Sequence, residues 1–247
     1  MSNKKHLETV RRFYPDALAS EDAITMLLQM ISDHVGYKPA QLVYADSIGS
    51  DEINSVQYPA NALQMLGPFR MGGLCGYPFA GKTGMQMFAQ HVPEDGAACI
   101  LYAPNTGVTK DANIGAVLRS GQISYSPCSY PVHAAIAKLR ARRIEPGKRS
   151  LSDHQMNIIE QILYQHENRI ITAENPVLEA TGIMYDAINQ KIEELVAGTK
   201  FTCRHVILAG AIFINGDYDM GSFISFKRIG ILDTTTNERT ELLQTLA

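Results

Sequence analysis

Apolar residues recur at helical spacing over residues 3–19, where Leu7, Val10, Phe13, Tyr14 and Leu18 share a face. They do so again over 21–35, with Ile24, Leu27, Leu28 and Ile31. Ser20-Glu-Asp-Ala caps the second helix. The period then changes. Gln41-Leu-Val-Tyr-Ala45 reads as a short strand running into Asp46-Ser-Ile-Gly-Ser-Asp51, a loop suited to a strand-to-helix crossing. Residues 53–66 read as a helix with Pro59 at a break or near a start. A glycine-rich stretch over 70–84 follows, then a short helix around Met85 to Gln90.

Ala97-Ala-Cys-Ile-Leu-Tyr-Ala103 is a continuous apolar run of strand length, as expected of a strand covered on both faces, and Pro104-Asn-Thr-Gly107 ends it. Residues 113–126 read as strand and loop, 130–143 as a helix, and 151–171 as a helix with Ser150 or Ser152 as cap. Asn175-Pro176 opens another helix, with Val177, Thr181, Met184, Ile188, Ile192 and Leu195 on one face and Gly198 at its end. His205 to Ile214 is the strongest buried-strand signal. Gly216-Asp-Tyr-Asp turns it into a last strand, Phe223 to Leu232. The pattern predicts one α/β domain over residues 39–247, preceded by a helical N-terminal extension over 1–38.

Composition narrows the function classes. The 247 residues are 45% hydrophobic and 19% charged, with a formal net charge of −3, which gives no electrostatic footprint for nucleic acid or an anionic membrane. The basic cluster Lys138 to Arg143, with Lys148 and Arg149, reads as a solvated helix end. No run is long and apolar enough for a signal peptide or a membrane span. Cys75, Cys99, Cys128 and Cys203 are scattered without a C-x-x-C pair, which fits a reducing compartment, and a cytoplasmic location is the expectation.

Gly76, Gly81, Lys82 and Thr83 match the spacing of a phosphate-binding P-loop. The context does not. No apolar strand is read before Gly76, Pro78 removes an N–H from the cradle, and no later strand closes with an Asp to hold Mg²⁺. Nucleotide binding is therefore not expected; the glycines read as a loop passing close to other backbone, with Lys82 tying it down.

Several separated segments together carry a resemblance. They are Ser47-Ile-Gly-Ser-Asp-Glu-Ile-Asn54, Met71 to Gly84, His91-Val-Pro, Tyr102-Ala-Pro-Asn-Thr-Gly107, the Cys128 segment and Leu208 to Asn215. In this order, over about residues 40–232, they resemble the limiting-CO2-inducible protein B/C family (LCIB/LCIC), β-type, theta-class carbonic anhydrase-like proteins. The resemblance implies a β-carbonic anhydrase-like sheet flanked by helices, and a homodimer with its active site near the subunit interface. It also implies a Cys-His-Cys zinc site that activates water, beside an orienting Asp and Arg. Carried across, Gly49 stands where the first zinc Cys is expected and Asn105 where the His is, while Cys128 keeps the third position. Asp51 and Arg119 match the Asp and Arg.

One thiol and one amide are a poor zinc set, so the expectation is a family member without the zinc-hydroxide mechanism and with no cofactor. In the leading reading it is a metal-free enzyme on a small carbonyl- or carboxylate-bearing molecule. Asp51 is then a general base and Arg119 an anion binder. Cys128 is a nucleophile whose pKa the following helix N-terminus lowers, and Gly49, Asn105, Tyr125, Tyr130 and Lys82 lie about the substrate. Two alternatives stay open: a carbonic anhydrase with zinc held by substitutes such as Cys75, His91, Cys203 or His205, and a non-catalytic dimeric binding subunit. Inert counterparts exist for each residue, among them Asp51 as a helix cap for the segment after it.

Overall fold

A computed structural model describes residues 3–243. In chain order the elements are α1 (Asn3–Val10), β1 (Leu18–Ala19), α2 (Ser20–Val35), β2 (Leu42–Ser47), β3 (Leu66–Arg70), α3 (Gly81–His91) and β4 (Ala97–Tyr102). Then come β5 (Asn105–Gly107), β6 (Ala116–Val117), β7 (Ser126–Pro127), α4 (Tyr130–Arg140), α5 (His154–Tyr164) and α6 (Glu167–Thr172). The chain closes with α7 (Pro176–Ala197), β8 (His205–Asn215), β9 (Ser222–Asp233) and β10 (Arg239–Glu241).

An eight-stranded sheet runs in the order β1-β9-β8-β4-β2-β3, with β10 added to β9 and β5 to β8. Strands β2, β3, β4, β5 and β8 are parallel, and β9 runs antiparallel to β8. All six residues of β2 and all six of β4 are buried; tyrosine hydroxyls apart, β4 is apolar throughout and β2 is apolar until its last two residues, Asp46 and Ser47, which reach the site end of the sheet. Alternate side chains serve two layers. Leu42, Tyr44, Cys99, Leu101, Ile207 and Ala209 pack under Ile24, Leu27, Leu28 and Ile31 of α2. Val43, Ala45, Ile100, Tyr102, Val206 and Leu208 pack under Met85 and Phe88 of α3 and Ile188 and Ile192 of α7. Each fully buried Leu, Ile or Phe contributes about 2 kcal/mol. Helices α4 to α7 build a further core around Val132, Leu139, Ile159, Leu163 and Met184. Asn175 caps α7 as its sequence predicts, its Oδ1 accepting from Leu178 N at 3.1 Å. No helix among the described residues is long and apolar enough to cross a membrane.

Four expectations are corrected. Of the expected extension, residues 3–38 are described and stand as no separate unit: β1 pairs with β9 and α2 covers one sheet face, so the segment completes the core. The first helix stops at Val10, because Pro15 pushes the residue before it away from helical geometry. Residues 53–66 are not a helix but an extended path with one 3₁₀ turn, Ala60–Gln64, entered from Pro59. The expected helix over 151–171 divides into α5 and α6 at His166, which leaves helical geometry with φ −118° and ψ 21°.

A strand also lies where none was read. β3 precedes the glycine-rich stretch, and it escaped notice because it is a sheet edge with Leu66 57% exposed, so it carries no apolar run. Strand, loop and helix α3 therefore follow one another as in a P-loop, yet the loop faces inward. The N–H groups of Gly73, Gly76, Tyr77, Phe79, Ala80 and Gly81 all donate to chain carbonyls, leaving none of them to cradle phosphate. The loop instead lies across the ends of β2 and β4. Ser47 Oγ donates to Gly76 O at 2.8 Å, and a Cβ on Gly76 would meet the carbonyl oxygen of Ala103 at 2.1 Å.

Candidate functional site

Parallel strands deliver their C-terminal ends to one edge of a sheet, where α/β proteins place ligands. Here that edge gathers Gly49, two residues beyond β2, Asn105 at the start of β5, and Asn215 at the end of β8. Cys128, between β7 and α4, closes the group: Asn105 Nδ2 lies 3.8 Å and Asn215 Nδ2 3.5 Å from its sulfur. The three positions matched to zinc ligands by sequence order thus converge in space.

The space between them is filled by amides. A Cβ built on Gly49 would stand 2.3 Å from Asn105 Oδ1 and 2.8 Å from Asn54 Nδ2. Asn54 Nδ2 donates to Gly49 O at 2.8 Å, and Asn215 Nδ2 donates to Asn54 Oδ1 at 2.7 Å. Asn54 and Asn215 are members the sequence reading did not single out, although both close segments quoted for the resemblance. Only the backbone path brings them together.

This donor set does not fit zinc. A tetrahedral catalytic site needs three protein ligands and an open position, and here one thiol and neutral amides occupy the volume. The substitutes do not assemble either. Cys203 and His205 flank the start of β8, about 30 Å along the strand from Asn215. His91 is exposed at the end of α3. No group of three or more His, Cys, Asp or Glu among the described residues is placed to hold a metal.

Cys128 is not the activated thiol expected from its place before α4. Its side chain is fully buried, and burial pushes its pKa up to about 12 even though the Asn215 and Asn105 amides pull the other way. Desolvation outweighs the helix end. Cys75, 3% exposed and backed by Ser129 Oγ at 3.4 Å, is likewise pushed up to about 12 by burial.

Arg119 is held on all sides. Its Nη2 donates to both oxygens of Asp51 at 3.1 and 3.0 Å, its Nε to Glu52 at 2.7 Å, and its Nη1 to Ser126 Oγ at 2.5 Å and Pro127 O at 3.1 Å. Nε, Nη1 and Nη2 each have acceptors within the protein, and the carboxylates of Asp51 and Glu52 offset the guanidinium's charge toward a substrate anion. Asp51 caps no helix. Burial, aided by its contact with Glu52 and opposed by Arg119, holds its pKa above the ordinary carboxylate value; Glu52 is pulled down to about 2, chiefly by that same contact with Asp51.

A pocket of about 450 Å³ opens beside this cluster, bordered by Asp51, Asn105, Arg119, Ser129, Tyr130 and Asp153, with Leu74, Pro131 and Met156 as its apolar wall. Tyr125 does not border it; its hydroxyl donates to Asp111 Oδ2 at 2.6 Å on an exposed turn. Lys82 is exposed on the first turn of α3, outside the pocket lining, and does not tie down the loop.

The sequence matches the model of the limiting CO2-inducible proteins B/C beta carbonic anhydrases over residues 17–233. Among solved structures it is similar to PtLCIB4, a homolog of the limiting CO2-inducible protein LCIB. The TM-score is 0.81 at 24% identity, covering 96% of this chain and 100% of that one. A point mutant of PtLCIB4 superposes with TM-score 0.84 at 24% identity, covering 97% and 99%. LCIB itself gives 0.73 at 13% identity, covering 94% and 96%. At these identities the likeness is one of fold. No curated protein matches the chain.

Proposed function

The chain belongs to the limiting CO2-inducible protein B/C family of beta carbonic anhydrases, and from that premise we propose that it is a metal-free member acting on a small carbonyl-bearing molecule. One observation carries the reading: the volume a first zinc ligand would need at Gly49 is taken by the amides of Asn105 and Asn54. Without a bound metal no water reaches a pKa near neutrality, and the carbonic anhydrase nucleophile is lost. The pocket then works through its own side chains. The hydroxyls of Ser129 and Tyr130 are hydrogen-bond donors for a carbonyl oxygen, and Asp51 is the group placed to move a proton. Arg119 positions Asp51 and, already paired with two carboxylates, leaves a carbonyl a better substrate than a carboxylate. A homodimer in the cytoplasm completes the proposal.

A second reading, a non-catalytic binding subunit, draws on the fully buried Cys128 thiol, which at a pKa of about 12 supplies no nucleophile. Both readings exclude fast CO2 hydration. In a stopped-flow assay with zinc supplied, the protein is expected to leave the uncatalysed rate unchanged. Saturable acceleration, lost on chelation, would sink the proposal.

A further inference from the structure

We infer that the pocket beside Asn105 recognises a small cationic nitrogen group, an ammonium or amidinium, in preference to a carboxylate or bicarbonate. The inference rests on the metal-free reading and adds to it the charge class of the ligand. Three observations lead to it.

First, Asn105 is 2% exposed and borders the pocket with an acceptor unused. Its Nδ2 is turned to the Cys128 sulfur, and its Oδ1 accepts no hydrogen bond among the described residues. An amide oxygen with no protein donor, on a side chain that lines the pocket, is free to accept from a ligand N–H.

Second, the charge balance of the lining is negative. Asp51 and Asp153 border the pocket against the single guanidinium of Arg119, and that guanidinium also carries Glu52. The Asp153 side chain makes no capping hydrogen bond to α5 although it stands at the N-cap position, and it forms no ion pair among the described residues. It also borders a smaller hollow with Lys138, Arg143 and Lys148, but Lys138 is paired with Glu160 and Lys148 with Glu145. An entering carboxylate meets two like charges and finds the one guanidinium already paired with Asp51 and Glu52. A cation meets Asp153 free and the outer lone pairs of Asp51.

Third, the remaining walls suit a short organic cation. Leu74, Pro131 and Met156 give an apolar side for a hydrocarbon portion, and the Ser129 and Tyr130 hydroxyls accept as readily as they donate.

The test compares acetamidinium chloride with sodium acetate and with acetamide, the neutral isostere, at matched ionic strength on protein of measured zinc content. Thermal unfolding and backbone amide NMR shifts are the readouts. Acetamidinium is expected to bind saturably with Kd of about 1–10 mM, as befits a fragment of this size. At ten times Kd it raises Tm by about 3–6 °C. Asp153→Asn, an exposed substitution that leaves the core untouched, is expected to weaken binding about fivefold to tenfold. Acetate is expected to produce neither shift. Acetate binding more tightly than acetamidinium, binding by neither, or an acetamidinium affinity unchanged in Asp153→Asn overturns the inference. If the protein is zinc-free in those cases, the metal-free reading stands. Zinc near one per chain overturns both together.

Discussion

Gly49→Cys combined with Asn105→His is expected to turn a protein that does not retain zinc into one that does, with affinity gained by at least about 10³-fold. The geometry favours the change. Gly49 is not among the glycines with positive φ, so its backbone accepts a side chain without strain. The atoms a new Cβ would meet are the ends of the Asn105 and Asn54 side chains, one replaced in the double variant and the other a side-chain end that moves by giving up its bonds to Gly49 O and Asn215. Cys128 is already in place, 3.8 Å from the Asn105 amide that a histidine would succeed. Zinc at about 10³ times its Kd adds about 4 kcal/mol of stability, so Tm rises by about 8–16 °C with zinc and falls back on chelation. Each single variant keeps only two ligands and gains far less. If the double variant folds but neither retains zinc nor responds to it, the assignment of these three positions is wrong.

The second large effect concerns the glycine-rich stretch. Gly76→Ala is expected to destabilise the protein by about 4 kcal/mol or more, while Gly81→Ala, five residues on, costs about 1 kcal/mol. Both residues have left-handed backbones, φ +77° and +61°. A Cβ at Gly81 meets nothing within 4 Å, so only backbone strain opposes it. A Cβ at Gly76 meets the Ala103 carbonyl oxygen at 2.1 Å and Ser47 O at 3.1 Å, which are backbone atoms at the ends of β4 and β2 and cannot step aside. Urea unfolding of the two variants beside the wild type separates the costs. Equal and small losses would show that the loop does not press on the strand ends as described.

These two experiments also mark what was legible in the residues alone. Buried strands announce themselves, because a strand covered on both faces must be apolar along its length, and β4 and β8 were plain for that reason. The edge strand β3 was hidden by its exposure, and the path over 53–66 imitated a helix through apolar spacing that serves an extended chain instead. At the site, Gly49, Asp51, Asn105, Arg119 and Cys128 were reachable through ordered motifs, and the structure brings all five together. Asn54 and Asn215 were not reachable, because their meeting depends on how the chain leaving β2 crosses to the end of β8 on the far side of β4, and no spacing along the chain records it. The Cys128 reading failed for a related reason: proximity to a helix start is visible in sequence, complete burial is not, and burial governs the thiol.

The central claim is that amides have replaced the metal. Its most direct test is the zinc content of the wild-type chain, expressed in zinc-supplemented medium, purified without chelators and measured by inductively coupled plasma mass spectrometry. The account predicts less than about 0.1 zinc per chain after gel filtration, since one thiol with neutral amides holds the ion too weakly to survive it. A ratio near one per chain would contradict it.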